Sequence, residues 1–302
     1  MGNDAVYTTQ SAILSTLNYF DIFDYPLSRE QLFRYLMYVK PERAEFDRVL
    51  DTLVAGSRVG CAAGWHYLPG RDEVVYKRQE GEAHARRLWS MAYSAAGRMR
   101  HLPFVRGIYL SGDLSKGVAG TDSDIDFFII TARRRVWICK LFLTLFRHIS
   151  RFNPHKLLCF NYLLSESHLE LEERNVFTAA EVIGLAPLYG LRQFRRFLAH
   201  NEWVAGFFPR YRRAPNESCC LFHGHSRRQR WVEFFFRNPL ADGLEFLLPR
   251  LWRIAWGWKY RRRPQTRSAL LKGIHRTYSK AHGYPTDREI LQEYTRRVGE
   301  AS

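Results

Sequence analysis

No two cysteines in this chain stand at C-x-x-C spacing, and no His/Cys cluster falls at zinc-ligand spacing. Those present, Cys61, Cys139, Cys159, Cys219 and Cys220, therefore indicate neither a disulfide framework nor a structural zinc site. A reducing cytosol suits them. No segment reaches the roughly 18 uninterrupted apolar residues of a membrane span. The opening MGNDAVYTTQ also lacks the basic start and apolar run of a secretory signal. A cytoplasmic protein with no transmembrane segment is expected. Internal repeats are missing too, and acidic residues are in short supply, with 30 Asp and Glu against 46 Lys and Arg and a formal net charge of +16.

The chain does have apolar material. A hydrophobic fraction of 46% over 302 residues supplies a core for each of two or three modules and excludes a disordered protein. The positive charge is unevenly placed, since from Arg210 to Ser302 there are 17 Arg and 3 Lys against 8 acidic residues. Such a field attracts phosphate in nucleic acid, nucleotides or anionic lipid without choosing among them. A solvated basic face would carry the same charge.

Residues 8–20 place apolar side chains at helical spacing, and Pro26 with Ser28-Arg29-Glu30-Gln31 announces a second helix through a capping box. A third helix is expected over Arg43 to Val54, followed by a short hairpin around Gly60 and Gly64. Three helices and a hairpin predict a winged-helix-like domain over residues 1–78. DNA reading is disfavoured, because a recognition helix presents several Arg, Lys, Asn or Gln side chains, whereas this one mixes Arg48 with Glu45, Asp47 and Asp51. Over residues 79–172 the pattern predicts an α/β core with a small mixed sheet. Its parts are a helix from Glu80 to Arg100, a strand from Val105 to Leu110, a strand from Asp124 to Thr131, a basic helix from Arg133 to Ser150 and a strand from Lys156 to Leu164. Residues 173–302 read as a helical, basic C-terminal domain. Its Trp203, Trp231, Trp252, Trp256 and Trp258 are expected in helical core. The fold class is α+β.

The chemistry concentrates between Leu110 and Ile130. A strand ends at Ser111-Gly112-Asp113, and the loop after it leads to Asp122-Ser123-Asp124-Ile125-Asp126. Side chains alternate along a strand, so Asp124 and Asp126 share a face. Gathered carboxylates repel unless a cation neutralises them, and Mg²⁺, which favours oxygen ligands and substrate phosphates, is the natural cofactor. Glycines and the Ser115 hydroxyl just after the first strand would let backbone N–H groups approach a triphosphate, and Lys116 would add positive charge.

This stretch resembles the polymerase-β-type nucleotidyltransferase superfamily, whose signature is a Gly-Ser turn followed by an acid-hydrophobic-acid strand. The nearest likeness is to bacterial nucleotidyltransferase-domain proteins with an N-terminal winged helix. Tyr19-Phe20-Asp21-Ile22-Phe23-Asp24-Tyr25-Pro26-Leu27, Phe177-Thr178-Ala179-Ala180-Glu181 and Asn201-Glu202-Trp203-Val204 carry it over about the first two thirds. The resemblance implies a nucleoside triphosphate held by Ser111, Gly112, Asp113, Ser115 and Lys116, and Mg²⁺ on Asp124 and Asp126. It also implies transfer of a nucleoside monophosphate, with release of pyrophosphate, to an acceptor that is a small molecule, a protein side chain or an RNA end. Asp113 stands where the family has Ser, placing a negative charge beside the phosphates. Asn161 stands where many members have a third catalytic carboxylate. Asn can ligate metal through its carbonyl oxygen but cannot take a proton, which leaves Glu166, water or the acceptor as base. These departures also suit a degenerate core acting as a nucleotide- or nucleic-acid-binding regulatory module. The basic C-terminal region is open to nucleic acid. Its Trp/Arg mixture from Arg227 to Arg263 also permits peripheral membrane contact.

Overall fold

The computed structural model describes residues 7–149, 157–211, 217–222, 224, 227–236, 238–280 and 286–300. It is an α+β protein. At the N-terminal end, α1 (Thr9–Asp21) is capped by Thr8, and α2 (Arg29–Arg34) opens with both hydrogen bonds of the Ser28/Gln31 capping box. After α3 (Arg43–Ala55), strands β2 (Gly60–Ala62) and β3 (Trp65–Tyr67) form a hairpin, and β1 (Leu27–Ser28) pairs with β3 to complete a small sheet. The long α4 (Glu73–Met99) starts seven residues before its expected beginning at Glu80. It leads the chain into a second sheet.

That sheet is built on β4 (Val105–Leu110), β5 (Ile125–Thr131) and β6 (Leu158–Ser165). The short α5 (Gly112–Ser115) lies in the β4–β5 turn, and α6 (Val136–Ile149) makes the crossover that a parallel β5–β6 pair requires. With β7 (Ala186–Tyr189) beside β4 and β8 (Tyr278–Lys280) beside β6, the order is β7-β4-β5-β6-β8, and every pair except β5–β6 is antiparallel. Both faces of β5 are buried, which is why IDFFIIT is almost continuously apolar. Ile125, Phe127 and Ile129 join a core with α4, α6 and α10 (Pro239–Lys259). Phe128 and Ile130 join a second core with α7 (Val176–Gly184), α8 (Leu191–His200) and the N-terminal helices.

The sheet draws two of its strands from beyond residue 172, where the sequence predicts a helical region. Residues 186–189 pair as a strand because all four side chains are buried against the sheet, and Pro187 is tolerated because β7 lies at the edge. The remaining helices are α9 (Arg227–Phe235), α11 (Pro264–Lys272) and α12 (Thr286–Glu300). Helix α12 returns to the N-terminal helices, where Arg297 pairs with the buried Asp21 at 2.6 Å and Tyr294 meets Tyr38 hydroxyl to hydroxyl at 3.0 Å. The core expectation for tryptophan holds for half-buried Trp203, Trp252 and Trp256. It fails for Trp231 and Trp258, which are 71% and 70% exposed.

Helix α9 is tied to the sheet by a two-pronged ion pair. Buried Glu233 accepts from Arg106 at 2.7 and 2.8 Å and from the Phe104 backbone N–H at 2.7 Å. Glu233→Ala strands a largely buried guanidinium, which is expected to cost about 3 kcal/mol or more. Urea unfolding measures this, and a midpoint equal to wild type would contradict it.

Candidate functional site

The turn after β4 is held against the start of β5. The Ser111 backbone N–H donates to the Asp126 carbonyl at 2.9 Å, and Gly112 adopts a left-handed φ of +68°. A Cβ on Gly112 would lie 2.8 Å from Asp126 Oδ2, so the carboxylate rests directly against bare backbone. Glycine is needed on both counts, conformation and space. Ser111 makes no side-chain cap bond, and the first N–H groups of α5 have no acceptor within the helix. The Ser115 hydroxyl, expected to face phosphate, is buried and donates instead to the Gly112 carbonyl at 2.7 Å, closing the turn. Asp113 is exposed.

Strand β5 begins at Ile125, so Asp124 precedes it; Asp126 lies on the face that carries Phe128, and the charge of Asp124 acts on it. Opposite them β6 contains a bulge: Phe127 pairs with Phe160 and Phe128 with Tyr162, which leaves Asn161 as the extra residue. A bulge re-aims a side chain, and here Asn161 Nδ2 donates to Asp126 Oδ1. Cys159, the direct cross-strand partner of Asp126, donates its thiol to Asn161 Oδ1 at 2.9 Å. Burial, then Asp126 and Asp124, push that thiol up to about 12, so it stays a donor. Asn161 thus presents its amide N–H to Asp126, and its carbonyl oxygen, the group expected to ligate metal, is turned to Cys159.

Burial, then the charges of Asp124 and Glu181, push the Asp126 carboxyl up to about 6, against the Asn161 hydrogen bond. Burial also raises Asp124, opposed by Arg147 of α6. Asp122, counted in sequence as a third member of this group, lies in an exposed turn. Glu181 of α7 takes that place. It is the only charged residue in VFTAAEVIG, and a lone carboxylate in an apolar helix is the signal that could have found it. Its partner is Lys116 at 3.2 Å. Burial works against the Lys116 ammonium, but Glu181 and then Asp113 override it and hold its pKa above the ordinary lysine value. Lys116 is therefore already spent on a carboxylate. Glu166, one of the three candidates for the base, follows the far end of β6, where it accepts from the Arg133 backbone N–H and from Gln193. It is not at the site.

A cavity of about 690 Å³ opens beside this group. Ser111, Asn161 and Glu181 line one end, Phe128, Tyr162 and Tyr278 form an aromatic wall, and α11 contributes Lys272. Phe128 and Tyr162 stack with centroids 5.0 Å apart. Comparison with family models, with curated proteins and with solved structures returns no match. Geometry alone therefore carries the reading of the site.

Among the described residues no group of three or more His, Cys, Asp or Glu side chains is arranged to hold a metal ion. The donors do fit an ion held by two carboxylates, Asp124 and Asp126, and completed by substrate phosphates, which is how Mg²⁺ is commonly bound. Burial, then the charges of Asp124 and Glu181, disfavour the ionised Asp126 carboxylate, and a cation there would offset both.

Asp126 titrates near about 6 in the folded chain against an ordinary 3.8. The Asp126 contribution to stability is therefore full below about pH 4 and is lost as pH rises through about 6, by roughly 3 kcal/mol at the limit. Asp126→Asn is expected to remove that fall, and Mg²⁺ to raise the Tm of wild type, but not of the variant, at about pH 8. Thermal melts across this range check both, and parallel profiles for the two proteins would contradict the assignment. Gly112→Ala is expected to lower stability by about 1–2 kcal/mol through its left-handed φ alone and to displace the Asp126 carboxylate, abolishing the Mg²⁺ response.

Proposed function

We propose that the chain is a Mg²⁺-dependent nucleotidyltransferase, with its N-terminal unit a winged helix and its five-stranded sheet a nucleotidyltransferase-type core. The observation that carries this is the Asp126 carboxylate, lodged against the bare backbone of Gly112 and acted on by the charge of Asp124, next to a cavity that Ser111, Asn161 and Glu181 line. Ser111 and the backbone N–H groups at the start of α5 would bind phosphate oxygens. The aromatic wall of Phe128, Tyr162 and Tyr278 suits a flat or apolar group, such as a base or part of the acceptor. Asp124 and Asp126 would hold Mg²⁺, which when bound would supply the positive charge that a triphosphate requires.

In this reading an acceptor oxygen or nitrogen in the cavity attacks the α-phosphorus. The bond to the bridging α–β oxygen breaks, and pyrophosphate leaves. Glu181 is the cavity carboxylate positioned to take the acceptor proton, in place of Glu166. Asn161, holding Asp126 through its amide, is a positioning residue. Asp113 adds negative charge beside the phosphates and weakens nucleotide binding.

A second reading, a nucleotide-binding regulatory module without turnover, is favoured by one feature: a third carboxylate is replaced by Asn161, which donates to Asp126. The two separate in one assay. Pyrophosphate release from each ribonucleoside triphosphate is measured for wild type, Asp124→Asn and Asp113→Ser, with candidate acceptors present. The transferase reading expects release that Asp124→Asn lowers by at least about a thousandfold and Asp113→Ser raises. Mg²⁺-dependent nucleotide binding with no release from any variant would favour the binding module, and the absence of both binding and release would sink both readings.

A further inference from the structure

Helix α10 carries two apolar stripes. One, made of Ala241, Leu244, Leu248, Trp252 and Trp256, packs into the core beside the sheet. The second, made of Leu240, Leu247, Leu251, Ile254 and Trp258, is exposed, with Leu240 at 84% and Ile254 at 70%. At 100° per residue those five fall within a sector of about 60°, so they form a continuous line rather than scattered contacts. Helix α9 adds exposed Trp231, Phe234 and Phe235. An uncovered apolar face of this extent is unusual for a surface that meets only water.

The charges of the segment are sorted. Between Arg227 and Arg263 there are only three acidic residues, Glu233, Asp242 and Glu245, and the fold engages each of them. Glu233 holds Arg106, Asp242 pairs with Arg135 at 2.7 Å, and Glu245 accepts the backbone N–H groups of Trp137 and Ile138 at 2.9 Å each. Arg227, Arg228, Arg230, Arg250, Lys259 and Arg261 to Arg263 are exposed. Several stack on the aromatics of the same surface, Arg250 over Phe246 at 3.8 Å and Arg261 over Trp258 at 4.8 Å. Each carboxylate is tied to another part of the fold, Asp242 from an exposed position, while the guanidinium groups stand out around an apolar line.

We propose that the α9–α10 face docks on an anionic lipid membrane. Its apolar stripe would enter the boundary between headgroups and acyl chains while the surrounding Arg and Lys meet lipid phosphates. A second copy of the chain would bring the same positive rim against this one, and nucleic acid would leave Leu240, Leu251 and Ile254 without a partner. No described helix is long and apolar enough to cross a membrane, so the contact is peripheral. This inference is independent of the transferase reading.

The test is flotation of the full chain with vesicles of phosphatidylcholine alone or mixed with phosphatidylglycerol. Binding to the mixed vesicles is expected to exceed binding to phosphatidylcholine by at least about tenfold and to weaken with salt. A Leu251→Glu/Ile254→Glu variant, altered only at exposed positions, is expected to lose binding about tenfold or more at unchanged Tm. Replacing Arg261, Arg262 and Arg263 by Ala is expected to reduce the preference for anionic lipid. Failure to float with either vesicle, or full binding by the Leu251/Ile254 variant, overturns the proposal. So does self-association that this variant dissolves, or RNA binding that it leaves intact, where vesicles capture nothing.

Discussion

The approach of the Gly112 backbone to the Asp126 carboxylate is the constraint on which the rest of the site depends. A carboxylate lodged there is screened from water and has Asp124 and Glu181 nearby, which is why its acidity shifts so far. Any residue but glycine would fill the space that the carboxylate occupies. The neighbouring features serve the same contact. Ser111 bonds β5 through its backbone, Ser115 locks the turn, and the β6 bulge turns Asn161 to the other carboxylate oxygen.

The turn is braced from outside the sheet as well. Both Tyr25 and Arg78 donate to the Lys116 carbonyl, and Arg78 lies over the rings of Tyr25 and Trp65 at 4.3 and 4.5 Å. On its other side Lys116 reaches Glu181, so the turn after β4, α7 and the N-terminal loop of Tyr25 meet at one residue. A lysine expected to bind phosphate is thus used to join three parts of the fold. That choice has an electrostatic consequence, because the same ammonium partly neutralises Glu181 and leaves Asp126 as the least compensated acid.

Local signals were readable wherever they depend on neighbours in sequence. The capping box at Ser28 and the strand over Val105 to Leu110 both follow from spacing alone. What sequence does not carry is the partner across space. Nothing in LCFNYLLS marks a bulge, because it exists only relative to the register of β5, and that bulge decides which way Asn161 points. Strands β7 and β8 are short, and their pairing is fixed by the edges they meet, so a helical C-terminal region hid them. Glu181 is marked in sequence only as a lone carboxylate in an apolar stretch, since only folding carries α7 toward Asp126.

The distribution of charge joins the two proposed surfaces. Helix α10 packs on the sheet face opposite Asp126, yet it leads through Arg261 to Arg263 directly into α11, whose Gln265, Ser268, Ala269 and Lys272 wall the cavity. The chain thus passes from the proposed membrane face to the wall of the pocket through the short link between α10 and α11. The acidic residues of this segment are all consumed in fixing it to the core, and that fixing is what frees the opposite side to be basic and apolar. A helix whose acids were left outward would repel phosphate at the position where the chain bends toward its own pocket.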